Sequence, residues 1–151
     1  VLYNKPYYSI GFANISGGYE IRNPYFKGCM GEKNISRVSG GTDGWLKACC
    51  ILEGFMDYLS YLPLLKTHCF TICTRHPPDY IILNSVNNIK KVQPILDEYD
   101  HIHCYLDNDN AGKVATEYIM GIQQAKAVDE SYRYNGCKDL NDYLRGKQLL
   151  K

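Results

Sequence analysis

No run of apolar residues in this 151-residue chain is long enough to cross a membrane, and no signal peptide is expected from its opening residues. Net charge is nearly absent, at +1. Net charge by itself therefore does not point to nucleic-acid binding. The seven cysteines are an odd number and include no Cys-x-x-Cys pair, which argues against a disulfide framework and a standard zinc knuckle. No repeat or low-complexity tract appears. What remains, 45% hydrophobic and 22% charged residues, is the composition of a globular chain with enough length for a core of its own. The chain opens on Val1 and is expected to be a piece of a longer protein. Cysteines set among apolar neighbours, as in KACCILE, read as reduced thiols and point to the cytoplasm.

Two features are unevenly spread. Residues 1–52 carry six basic side chains against three acidic ones, +3, which leaves −2 for the rest. A basic front is thus set before an acidic body. Eight of the thirteen glycines lie in the first 44 residues, which disfavours long helices there. YSIGFANI and YEIRN flank Ser-Gly-Gly as a hairpin, NPYFKG reads as a turn, and KNISRV as a further short strand. GGTDG, residues 40–44, marks a boundary. We therefore divide the chain into a β-rich segment, 1–44, and a second unit, 45–151.

Beyond the boundary, strands and helices alternate. WLKACCILE, HCFTIC, YIILN, HIHCYLD and KAVDE read as strands. Phe55, Met56, Leu59 and Leu62 recur at helical spacing in a helix that Pro63 should end or kink. Ser85 caps a helix through VNNIKKVQPILDEY. NAGKVATEYIMGIQQA and DLNDYLRGKQLL read as two more. His68, Cys69, Cys73 and His76 match no standard ligand spacing, so zinc is not expected. The predicted fold is α/β, a mostly parallel sheet flanked by helices, with a small β-rich appendage at the N-terminus.

In such sheets, sites form where strands end and helices begin. Glu53 ends the strand ACCIL. Asp107 and Asp109 follow HIHCYL, and Asp139 and Asp142 open the last helix. Asp57 lies one helical turn beyond Glu53 and can share its rim. Carboxylates without Cys or His among them suit a hard ion such as Mg²⁺ or Mn²⁺. The plainer account is that Asp at a strand-to-helix junction is a cap. It fits DNDN and Asp139/Asp142 better than it fits Glu53, which closes an apolar strand.

LEGFMDYLSYL, YLDNDNAGKVA and CKDLNDYL together resemble the TOPRIM domain shared by bacterial-type primases, topoisomerases and some nucleases, over about residues 45–145. Glu53-Gly54-x-x-Asp57 and Asp107-x-Asp109-x-Ala111-Gly112-x-x-Ala115 look like its primase branch, of a mobile-element or phage-like type. The resemblance implies a TOPRIM fold. It implies that Glu53, Asp107 and Asp109 are catalytic and hold two Mg²⁺ or Mn²⁺ ions with Asp57, Asp139 and Asp142. It also implies that Arg22, Lys27 and Lys33 hold a nucleoside triphosphate. The activity expected is primer synthesis on a single-stranded DNA template during replication. A replicative helicase would be met through further domains, since no Gly-Lys-Ser/Thr phosphate loop is present in this stretch. A TOPRIM nuclease and an inactive nucleic-acid-binding scaffold are the alternatives. One departure is the turn after YIILN, where Asn84, Ser85 and Val86 replace the usual Gly-Thr.

Overall fold

A computed structural model of the chain describes Pro6 and residues 8–41 and 47–149. The start of the WLKACCILE strand, most of the boundary at 40–44 and the last residue of the predicted final helix, Leu150, lie outside the described residues. None of the described helices is long and apolar enough to cross a membrane.

The large sheet has five strands. β4 (Ser36–Val38), β5 (Ala48–Leu52), β6 (Asp79–Ile82), β7 (His101–Tyr105) and β8 (Ala127–Asp129) stand in the order β4-β6-β5-β7-β8. The β6-β5-β7-β8 pairs are parallel, and β4 runs antiparallel along β6. The central strands are buried on both faces, which is why they read as unbroken apolar runs. Cys49 and Ile51 of β5, Ile81 of β6 and Ile102 and Cys104 of β7 pack with Val92, Leu96, Ala115 and Ile119. These last belong to α2 (Ile89–Leu96) and α3 (Asn110–Ile122). Cys50, Leu52, Tyr80, Ile82 and Tyr105 pack on the other face with α1 (Phe55–Lys66) and α4 (Leu140–Leu144). The result is a three-layer α/β arrangement.

β1 (Ile10–Ala13), β2 (Tyr19–Arg22) and β3 (Lys27–Met30) form a separate antiparallel sheet. Phe12 stacks on Phe55 with ring centroids 5.5 Å apart and meets Tyr58 at 5.6 Å. A polar seam completes the junction. Asn84 Nδ2 donates to the Asn34 carbonyl and to Ser36 Oγ, both at 2.9 Å, and the Ser36 hydroxyl donates to the Ala13 carbonyl at 2.7 Å. Asn84 sits at φ 60°, a left-handed backbone that Asn tolerates better than most residues.

Several expectations are corrected. HCFTIC is not a strand. His68 takes φ 54°, and the chain closes turns from Cys69 N–H to Leu64 and from Ile72 and Cys73 N–H to Cys69. Ile72 and Cys73 are buried, so their apolar character reflects a turn folded onto the core. Pro63 does not end α1, which runs on to Lys66. It is exposed, where water can take up the carbonyl freed by its missing N–H. The buried face of α1 carries Phe55, Tyr58, Tyr61 and Leu64, whereas Leu62 is exposed. The helix after Ser85 begins as a 3₁₀ turn, Val86–Asn88, and ends at Leu96 rather than near Tyr99. The last helix stops at Leu144, followed by Gly146 at φ 66°, a C-terminal glycine stop. Lys27 and Gly28, read as the end of the turn NPYFKG, open β3 (Lys27–Met30). It has little strand character of its own and is held by pairing with β2.

Candidate functional site

The sheet brings its acids to one edge because β5 and β7 are parallel neighbours. Glu53 directly follows β5, and Asp107 lies two residues beyond the end of β7. Asp57 is on the first turn of α1, where its Oδ2 accepts the Gly54 N–H at 3.2 Å. Asp139 caps α4 and accepts the Asp142 N–H at 2.7 Å. One carboxylate oxygen each from Asp57, Asp107 and Asp139 lies within 4.8 Å of the others. Asp57 and Asp107 are buried, at 7% and 8% exposure.

Burial and crowding act together on these groups. Asp57 is pushed up to about 8 by burial first, then by Asp107 and Asp139. Glu53 is pushed up to about 7 by burial, then by Asp107 and Asp109. Asp107 is raised by burial, while the hydrogen bond from Lys138 pulls it back. Among the described residues, Glu53 Oε2 is buried with no hydrogen-bond partner. Such a set of hard oxygen donors, short of positive charge, fits Mg²⁺ or Mn²⁺.

These acids line a cleft of about 200 Å³ whose opposite wall is the small sheet. Arg22 and Lys27 project into it beside Glu53, Asp57, Asp107, Lys138 and Asp139. An adjoining hollow of about 350 Å³ is lined by Lys27, Lys33 and residues 84–88 and shares Glu53 with the first. Of the residues singled out from the sequence, Arg22 and Lys27 thus share one cleft with Glu53, Asp57, Asp107 and Asp139.

A family model described as Toprim-like matches residues 50–144. The chain belongs to the Toprim-like family. A second model, a domain of unknown function (DUF8464), matches residues 1–31. No curated protein matched the chain. Among solved structures, the primase fragment of the bacteriophage T7 primase-helicase protein is similar, with a TM-score of 0.63 and 19% identity. The match covers 91% of this chain and 58% of that one, so the chain spans little more than half the fragment's length. A chain of the bacteriophage T7 lagging-strand DNA polymerase structure also matches, in which the polymerase interacts with primase domains bound to an RNA/DNA hybrid and dTTP. Its TM-score is 0.55 and its identity 21%, covering 91% of this chain and 70% of that one. At these identities the likeness is one of fold.

In this Toprim-like domain not every predicted acid joins the cluster. Asp109 stands at its rim, half exposed. Its Oδ1 accepts the Gly112 N–H at 3.0 Å as the cap of α3, and its Oδ2 lies 3.6 Å from Lys138. Asp142 Oδ1 is 3.7 Å from Lys147. Sequence reasoning missed three residues. Lys138 Nζ is 3.1 Å from Asp107 Oδ2, and its only signal was its place directly before Asp139. Glu20 lines the basic wall and is buried there. Asn108, between the two aspartates, turns away from the cleft. Its side-chain amide donates to the carbonyls of Ser131, Tyr134 and Cys137 at 3.0–3.3 Å. The segment carrying Lys138 and Asp139 is thereby tied to the Asp107–Asp109 loop. Gly112 is demanded by close approach, since a Cβ there would lie 2.1 Å from the Asp107 carbonyl oxygen.

Proposed function

We propose that this domain is the catalytic part of a primase-like nucleotidyltransferase, in which a 3′-hydroxyl attacks the α-phosphorus of a nucleoside triphosphate, the bond between the α- and β-phosphates breaks and pyrophosphate leaves. The observation that carries the reading is the pairing across one cleft of Arg22 and Lys27 with Asp57, Asp107 and Asp139. A triphosphate brings several negative charges, and Lys and Arg opposite the acids meet that demand. Asp57, Asp107 and Asp139 would hold a divalent ion, whose chemistry is to screen phosphate charge and polarise a phosphoryl oxygen. Glu53 Oε2, buried and unpaired, is the acceptor we assign to the hydroxyl proton. Arg22, Lys27 and Lys33 orient the polyphosphate. A hydrolytic site has no comparable need for two cations on a facing wall and a third in the adjoining hollow.

On this reading residues 1–44 serve as the substrate-facing segment and 45–151 as the Toprim-like unit. The template is single-stranded DNA, the setting is the cytoplasm, and a helicase acts through other domains. The test is binding of a nucleoside triphosphate with Mn²⁺, measured by calorimetry. Lys27→Ala and Lys33→Ala should each weaken it by about tenfold or more. Cutting of single-stranded DNA that depends on Glu53, without triphosphate binding, would replace this reading with that of a nuclease. Binding of DNA with neither activity would leave a scaffold.

A further inference from the structure

We propose that Lys138 is the resident counter-cation of Asp107 and Asp109, and that this domain consequently takes one divalent ion where the family resemblance implies two. The inference rests on the metal reading given above and concerns how many ions the chain's own residues can serve.

A second ion would have to lie on the Asp109 side of Asp107. That is where the Lys138 ammonium stands, 3.1 Å from Asp107 Oδ2 and 3.6 Å from Asp109 Oδ2. A dication placed between the same two oxygens would meet a full positive charge at contact distance. Asp109 is also a poor ligand as it stands, because its other oxygen is committed to the Gly112 N–H at the start of α3. Among the described residues the carboxylates that do converge are Asp57, Asp107 and Asp139, and Asp109 is absent from the cleft lining.

The lysine is not placed there by the reach of a mobile side chain alone. Its carbonyl accepts the backbone N–H of Asn108 at 2.7 Å, and the preceding carbonyl, of Cys137, accepts the Asn108 side chain at 3.0 Å. The backbone of Lys138 is thus fixed to the loop whose charges it neutralises. A half-exposed lysine that merely decorated the surface would contribute little to either aspartate, and its removal would leave ion binding unchanged.

The experiment is titration of the metal-free chain with Mn²⁺, read by calorimetry and by the electron paramagnetic resonance of free Mn²⁺. The chain itself should bind one ion. Lys138→Met should bind a second, and should take the first at least about tenfold more tightly, since a nearby positive charge is gone. Lys138→Arg should behave as the unsubstituted chain, and circular dichroism should show all three folded. The proposal is overturned by two ions on the unsubstituted chain, by one ion of unchanged or weaker affinity on Lys138→Met, or by a second ion on Lys138→Arg. Absence of Mn²⁺ binding in every form removes the metal reading itself and this proposal with it. One ion on the unsubstituted chain, with no change in the methionine variant, leaves the metal reading standing and removes only the role of Lys138.

Discussion

Replacing Asp57 with Asn should stabilise the metal-free domain at neutral pH. Burial first, and then Asp107 and Asp139, hold the carboxyl at about 8 against an ordinary 3.8. A folded-state value above the unfolded one means that folding takes up a proton. The stability is complete below about pH 4 and is lost as pH rises towards 8. At pH 7 the burden comes to about 4.5 kcal/mol, at ~1.4 kcal/mol for each unit between 3.8 and 7. Relaxation around the ionised group and the weakened hydrogen bond to Gly54 reduce the expected net gain to about 2 kcal/mol. Urea unfolding in EDTA should therefore show the two proteins nearly equal at pH 4 and the variant ahead at pH 7.5. Saturating Mn²⁺ should reverse the order, because a ligand at a hundred times its Kd contributes about 2.7 kcal/mol to the form that binds it. A variant that is less stable than the parent at pH 7.5 without metal, or a difference that does not change with pH, would refute the electrostatic account of the cluster.

Gly112→Ala should destabilise the domain by at least ~2 kcal/mol in urea, because its Cβ would meet the Asp107 backbone at 2.1 Å. Asp109→Ala should lower stability in EDTA by about 1 kcal/mol through loss of the α3 cap, whereas Asp109→Asn, which can still accept the Gly112 N–H, should stay within about 0.5 kcal/mol. Tyr61→Phe should cost about 1–2 kcal/mol by thermal unfolding, since the Tyr61 hydroxyl accepts the Thr74 N–H at 2.9 Å and nothing would replace it.

The parallel strands were legible because burial on both faces leaves an unbroken apolar run, as in Cys49–Leu52 and Ile81–Leu83. Strand β3 was not, because Lys27 and Gly28 carry no strand signal and pairing with β2 decides their conformation. Helix α1 was found but its face was misread. Its inward side is built from Tyr58 and Tyr61, which join a ring cluster with Tyr80 and Tyr105 at centroid distances of 5.0–5.6 Å. Tyrosine counts as polar in a simple pattern and as core once its hydroxyl finds a partner. In the cleft, Glu53, Asp57, Asp107 and Asp139 were legible from their places beside strand ends and helix starts. Lys138 was hidden, because a lysine before a helix cap is ordinary until its ammonium is seen between two carboxylates.

The seam at Asn84 bears on how a ligand would enter. Asn34, Ser36 and Ala13 are joined through Asn84 and Ser36, and Phe12 is seated on Phe55, so the wall bearing Arg22 and Lys27 is fixed opposite the acids. The width of the gap is set when the chain folds. On the proposed reading, an incoming polyphosphate would meet both walls already in register and would lose no binding energy to drawing them together. Association should then follow a single diffusive phase that slows with added salt, with no later tightening step.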